Sequence, residues 1–277
     1  MNTKLNSTTR TFKRQLTDWI TSTYWKMFHP RIVSRFGIKF KIDPQVVPYY
    51  IIRRKTFRSL LPVFDHYVTS NSIVLDIGAS FGFYSLYSLI NRKAKTVIAF
   101  EPTARSYNLL QENIELNKVN IINKNNKLNN LNKIKEEELN LKSYRCAVSD
   151  KPGRAKLHLD SAGFGYNSLL GNKMNSSKNK YEWVDVQTVD NLVQHADLVK
   201  MDVEGMEYFV LLGMKKLLFN SRPPVLLEYT ASNQYKKEIN NFLESLGYKI
   251  SLRIGNNVLA VYGRDVDKVW GGGMLIK

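Results

Sequence analysis

Ile73-Val74-Leu75-Asp76-Ile77-Gly78-Ala79-Ser80-Phe81-Gly82 decides how the rest of this 277-residue chain is read. Ile73, Val74, Leu75 and Ile77 form a short apolar run, the pattern of a parallel strand covered on both faces. Gly78 and Gly82 bracket a turn where the backbone approaches something closely or takes positive φ. Phe83, Leu86, Tyr87 and Ile90 then recur at helical spacing. Strand, glycine turn and helix N-terminus predict a nucleotide-type cofactor site in an open α/β sheet.

The flanking sequence repeats the alternation. Residues 96–100 form a second apolar strand ending in Glu101-Pro102, so 73–100 reads as one βαβ unit. A helix over 105–117 presents Leu109, Leu110 and Ile114. Residues 143–149 read as one strand and 155–159 as an antiparallel return, with another strand over 184–188. A buried parallel strand over 198–203 ends at Glu204-Gly205. One helix over 207–219, a strand over 224–229 and a helix over 235–246 closed by Gly247 follow. Residues 248–254 and 258–262 flank Gly255-Asn256-Asn257 and predict a closing antiparallel hairpin. The fold class is therefore α/β, a mostly parallel Rossmann-like sheet with a C-terminal antiparallel hairpin.

Two segments depart from that rhythm. Residues 117–142 are rich in Asn and Lys and read as a surface insertion, with Glu136-Glu137-Glu138 as a solvated charge run. Residues 160–180 read as a mobile loop, and its Asn167 and Ser168 are candidate substrate contacts.

Charge is unevenly placed. The formal charge is +17, and residues 1–60 hold thirteen Lys and Arg against Asp18 and Asp43, a net +11. The expected division is a basic, partly helical extension over 1–37 and a catalytic domain over 38–277. In 11–28, Phe12, Leu16, Trp19, Ile20 and Met27 share one helical face. This helix either packs as a lid or rests peripherally on an anionic membrane. A short strand is expected over 36–42 and a helix over 49–66. No apolar run spans a bilayer and 1–14 has no apolar signal core, so a cytoplasmic setting is expected, with or without peripheral membrane contact. The single cysteine, Cys146, excludes an internal disulfide and is expected to be a buried small apolar residue.

The turn is not Gly-x-Gly-x-x-Gly, and Asp76 at the strand end would repel a pyrophosphate. Glu101, at the end of the next strand, suits the two hydroxyls of an adenosine ribose. An acid, a glycine turn and a second acid favour S-adenosylmethionine over a dinucleotide. No Asn/Asp-Pro-Pro-Tyr/Phe run follows the 198–203 strand, which argues against methylation of nucleic-acid bases despite the charge.

The chain resembles the FkbM-type branch of class I S-adenosylmethionine-dependent methyltransferases. Leu75 to Gly82, Phe100-Glu101-Pro102, Asn113-Ile114-Glu115-Leu116-Asn117, Ala147-Val148-Ser149-Asp150 and Val186 to Asp190 carry the likeness. So does Val199-Lys200-Met201-Asp202-Val203-Glu204-Gly205-Met206-Glu207, the most diagnostic run, with Leu212-Gly213, Pro224 to Glu228 and Lys41-Ile42-Asp43-Pro44. The likeness covers about 38–262. It implies cofactor contacts from Asp76, Gly78, Ala79, Ser80, Gly82, Glu101 and Pro102, with Ala147 a candidate near adenine. Ser80 stands where the family usually has Asn, and Ser85 where Thr is common. The resemblance also implies O-methylation of a sugar, glycan, glycolipid or other small secondary metabolite.

Methyl transfer to a hydroxyl needs in-line approach and a proton acceptor. Asp202, Glu204 and Glu228 fall at the carboxyl ends of strands, where ligands of open α/β sheets bind, and are the candidate catalytic acids. Asp202 and Glu228 would also serve as ligands if the enzyme uses Mg²⁺. The competing reading is that Glu204 and Glu207 merely favour the dipole of the following helix. His158 is a candidate substrate contact, whereas His195 reads as a surface residue. The alternative function is a membrane- or nucleic-acid-binding protein with a non-catalytic methyltransferase fold. The acceptor and the oligomeric state are not specified by the sequence.

Overall fold

A computed structural model describes residues 32–43, 55–124, 140–159, 169, 180–230 and 233–263. The helix expected over 11–28 and the candidates Asn167 and Ser168 lie outside the described residues.

Five strands form the parallel centre: β3 (Ile73–Ile77), β4 (Thr96–Phe100), β5 (Leu141–Tyr144), β9 (Leu198–Met201) and β10 (Val225–Glu228). With β11 (Tyr248–Ile254) and β12 (Asn257–Tyr262) they make a seven-stranded sheet in the order β11-β12-β10-β9-β3-β4-β5. The order reverses beside β3: β4 and β5 continue to one side, β9 and β10 to the other. A crevice therefore opens past the carboxyl ends of β3 and β9, as it does in doubly wound sheets.

Period-two alternation sends each strand's side chains into two cores. Val74, Val97, Ala99 and Leu198 pack with α1 (Lys55–Tyr67), α2 (Phe83–Ile90) and α3 (Ala104–Lys124). Leu75, Ile77, Ile98, Phe100, Val199 and Met201 face the other way. They meet α5 (Glu207–Leu212), α6 (Lys215–Ser221) and α7 (Lys236–Ser245). The same alternation puts Asp76 and Lys200 on the α2 side, opposite each other in the β3–β9 register.

The closing antiparallel hairpin forms as its sequence suggests, and the structure adds its strand order. β12 inserts beside β10, antiparallel to it, and leaves β11 as the edge. The choice follows side-chain chemistry: Val258 to Val261 are all buried, whereas β11 carries Lys249 and Arg253 exposed, suiting an edge.

Three expectations are corrected. The strand over 143–149 breaks after Tyr144. Its remainder, β6 (Ala147–Val148), joins β7 (Gly153–His158) and β8 (Tyr181–Gln187) in a separate sheet ordered β6-β8-β7. The helix over 207–219 divides at Gly213, where an added Cβ would sit 2.0 Å from Ser149 O. Asp190, in the short helix α4 (Val189–Leu192), takes the new N-terminus: its carboxylate accepts from Lys216 N and Leu217 N, both at 2.9 Å.

The third correction concerns the Asn-rich stretch. α3 continues to Lys124, and Asn117 is fully buried rather than at the start of a surface insertion. The strand expected over 36–42 is half of a hairpin, β1 (Ile32–Arg35) with β2 (Ile38–Lys41), turning at the 1–37 boundary. Asparagines of α3 bond the free edge of β2. Asn117 Oδ1 accepts from Lys39 N at 2.9 Å and its Nδ2 donates to Lys39 O at 2.6 Å. Asn113 Oδ1 accepts from Lys41 N at 2.6 Å and its Nδ2 donates to Phe81 O at 2.9 Å. An amide carries both donor and acceptor, so it can substitute for a neighbouring strand. Asn117→Leu should cost about 2 kcal/mol or more of unfolding free energy in urea, because it strands both backbone groups of Lys39.

Candidate active site

The turn after β3 is held from two sides. Gly78 N and Ala79 N both donate to Phe100 O at 2.9 Å, tying the turn to the end of β4. Gly78 adopts φ 76°, and a Cβ there would lie 1.9 Å from Asp202 O at the end of β9. Only glycine permits both the dihedral and the approach. Ser80 also takes positive φ, 51°, and Gly82, at φ 88°, opens α2.

Glu101 closes the turn. Its Oε2 accepts from Ser80 N at 2.9 Å, and its Oε1 from Thr103 N at 3.0 Å and Thr103 Oγ1 at 2.6 Å. The four lone-pair sites of a carboxylate leave Oε2 one further acceptance. Burial pushes the Glu101 carboxyl up, while the bonds from Thr103 and Ser80 and the charge of Lys200 pull it back.

A cleft lies against this turn. Gly78, Ala79, Ser80, Glu101, Pro102, Ala147, Asp202 and Glu204, among the residues singled out in the sequence, line it. Cys146, Val148, Leu157 and Leu169 supply an apolar wall, and Phe81, Phe83, Tyr84 and Met206 also contribute. Asp76, Gly82, Glu228 and His158 are not in the lining. Asp76 is fully buried behind the turn, where Ser85 Oγ donates to its Oδ2 at 2.6 Å. Through Ser85 it ties the end of β3 to α2, behind the turn. His158 lies on β7 opposite Tyr181. His195 contacts Asp197 at 3.2 Å and Ser221 at 3.0 Å on the surface.

β9 and β10 deliver the carboxylates. Asp202, Glu204 and Glu228 each place an oxygen within 4.8 Å of the others. Glu204 stands at φ 52° beside Gly205 at φ 97°, a kink that turns its side chain back toward the strand ends. Glu207 is the member that serves the helix start: it is buried, accepting from Gly205 N at 3.2 Å and from Asn233 Nδ2 at 2.8 Å. Burial, then the charges of Asp202, Glu228 and Glu207, push Glu204 up to about 9. Burial, then Asp202 and Glu207, push Glu228 up to about 7.

These shifts have a definite sign for stability. The folded chain holds protons on Glu204 and Glu228 that an unfolded chain releases near pH 4.5, so stability falls as pH rises from about 5 to 9. In chelator-treated protein the melting temperature should drop over that range. Glu204→Gln should raise it at pH 9 by about 3 °C or more and flatten the slope.

Lys200 and Tyr84 are among the lining residues that the sequence candidates do not include. Lys200 is buried, and Tyr84 on α2 lies beneath it, with Nζ 5.3 Å from the ring centroid. Burial, then Asp202 and Asp76, push the Tyr84 hydroxyl well up. The signal for Lys200 was a cation inside the apolar run Leu198-Val199-Lys200-Met201, a position that demands a buried partner.

Among known proteins, the family model for the methyltransferase FkbM domain matches residues 76–250. Methyltransferase 1 of Beauveria bassiana (strain ARSEF 2860) is 24% identical over 192 residues, covering 66% of this chain and 74% of its own. Methyltransferase sdnD of Sordaria araneosa is 26% identical over 219 residues, covering 66% and 75%. A crystal structure of methyltransferase FkbM from Methylobacillus flagellatus KT aligns with a TM-score of 0.49 at 18% identity. The match covers 70% of this chain and 44%, less than half, of that one.

Proposed function

The chain belongs to the FkbM methyltransferase family, and on that premise we propose that it transfers the methyl group of S-adenosylmethionine to a hydroxyl of a sugar, glycan, glycolipid or other secondary metabolite. The observation that carries this reading is the carboxylate cluster at the ends of β9 and β10, directly beside the turn-lined cleft.

Gly78, Ala79 and Ser80 receive the methionine end of the cofactor. Glu101 takes a ribose hydroxyl on the remaining lone pair of Oε2, and Ala147 and Pro102 flank the adenosine. The acceptor hydroxyl enters from the carboxylate side. When bound, S-adenosylmethionine would supply an electrophilic methyl carbon to the hydroxyl oxygen, with sulfur keeping the electron pair of the broken carbon–sulfur bond. The hydroxyl proton would pass to Asp202, which lines the cleft, and Glu228, poised near neutrality behind it, would share the proton. Three carboxylates at this spacing also offer the hard oxygen ligands that a divalent cation takes. Asp202, Glu204 and Glu228 would hold such an ion, and it would supply acidification of the acceptor hydroxyl.

The test is incubation of the protein with labelled S-adenosylmethionine and fractionated glycans and lipids, read by mass spectrometry. Gain of one methyl on oxygen, lost in Asp202→Asn, is expected. Label on nitrogen or carbon alone would remove the O-methyl assignment. A rate abolished by chelator and restored by Mg²⁺ assigns the metal; an unaffected rate leaves proton transfer to the carboxylates alone.

Among the described residues no helix is long and apolar enough to cross a membrane. Residues 1–37 hold seven Lys and Arg against Asp18, a net +6, which supports a peripheral role for the extension on anionic lipid, from the cytoplasmic side. Equal liposome sedimentation of full-length and Δ1–35 protein would refute that role.

A further inference from the structure

Lys200 is the one cation among the described residues lining the cleft, which also presents Glu101, Asp202 and Glu204. Its side chain is 6% exposed. Nζ donates to Gly78 O at 3.0 Å, stands 3.5 Å from Asp76 Oδ1 and 3.9 Å from Asp202 Oδ2, and lies over the Tyr84 ring. Asp76 Oδ1 accepts no hydrogen bond among the described residues, so the ammonium is the charge that compensates it. Lys200 thus joins the cofactor turn, Asp76 behind it and the nearest acceptor-side acid through one charged group.

We propose that Lys200 sets the balance of affinity between S-adenosylmethionine, whose sulfur is positively charged, and S-adenosylhomocysteine, whose sulfur is neutral. The inference rests on the cofactor reading of the cleft given above. A fixed cation in a water-poor wall opposes the sulfonium and leaves the neutral sulfide almost untouched. The acids around it attract the sulfonium, and Lys200 offsets one unit of that attraction. Without this offset the acids would hold the charged reactant too firmly. With it, the charge that leaves sulfur during transfer relieves a repulsion, so binding energy is realised in the transition state rather than in the ground state.

Calorimetric titration of both ligands into the full-length protein and three variants tests this. Lys200→Met keeps an unbranched side chain, one atom shorter, and removes its charge. Its affinity ratio should move toward S-adenosylmethionine by about fivefold or more. Lys200→Met combined with Asp76→Asn restores the net charge and should return the ratio close to that of the unmodified protein. Asp202→Asn makes the cleft more positive and should move the ratio toward S-adenosylhomocysteine. If Lys200→Met does not fold, Lys200→Gln, which also removes the charge, decides the matter. A purely structural Lys200 would weaken both ligands equally, and an unchanged ratio in Lys200→Met, or in Asp202→Asn, overturns the proposal. Failure of the unmodified protein to bind either ligand would instead overturn the cofactor reading, and this inference with it.

Discussion

Gly78→Ala should abolish measurable binding of S-adenosylmethionine and cost about 3 kcal/mol or more of stability. Two penalties act together. The residue sits at φ 76°, where an L side chain is strained, and its Cβ would lie 1.9 Å from Asp202 O. The atom it meets is backbone, so no side-chain rotation relieves the clash. The end of β3 must move away from β9, and the shift takes Lys200 off Gly78 O and Asp202 out of line with the turn. Gly37→Ala is the internal control. Gly37 has φ 73° but nothing within 4 Å of an added Cβ, so it should lose only about 1 kcal/mol and bind the cofactor normally. Urea denaturation and calorimetry on the two variants separate dihedral strain from the collision. Equal losses in both would show that the close approach to Asp202 does not matter.

Glu101→Ala is the second large effect, with cofactor affinity expected to fall at least about tenfold. The side chain accepts from Ser80 N, Thr103 N and Thr103 Oγ1 before any ligand arrives, so its loss unties the turn as well as removing the proposed ribose acceptor. Glu101→Gln should be nearly as damaging. Its amide must turn NH₂ toward either Ser80 N or Thr103 N, setting donor against donor. A glutamine variant with normal affinity would show that neither contact needs a carboxylate and would withdraw the ribose assignment. Thermal melts without ligand should also show a loss, since the bonds of Glu101 are already made in the free protein.

How much of this was legible beforehand varied with the range of the interaction. The run 73–82 announced strand, turn and helix because local apolar periodicity and two glycines suffice for that. The acids at 101, 202, 204 and 228 were legible as strand-end residues, since the ends of short apolar runs can be counted. Asp76, a candidate cofactor contact by sequence, is fully buried and bonded to Ser85 of α2. Alternation along β3 puts it on the α2 side, and the sequence does not say which side faces the cleft. Asn117 was read as the start of a polar insertion and is buried, because its partner is the backbone of a strand 78 positions away.

By itself, then, the sequence determined the alternation of strands and helices, the glycine turn and the family to which its motifs belong. These follow from local periodicity, from dihedral demands and from short runs read in place. Tertiary structure alone decided that β12 lies inside β11, that helix 207–219 breaks at Gly213, and that a lysine within an apolar strand faces Asp76 across the sheet. Each of these depends on which distant backbone or charge comes within a few ångströms. The turn from Asp76 to Gly82 is local in its fold, but Phe100, Glu101, Lys200 and Asp202, brought to it by parallel pairing, give it its chemistry.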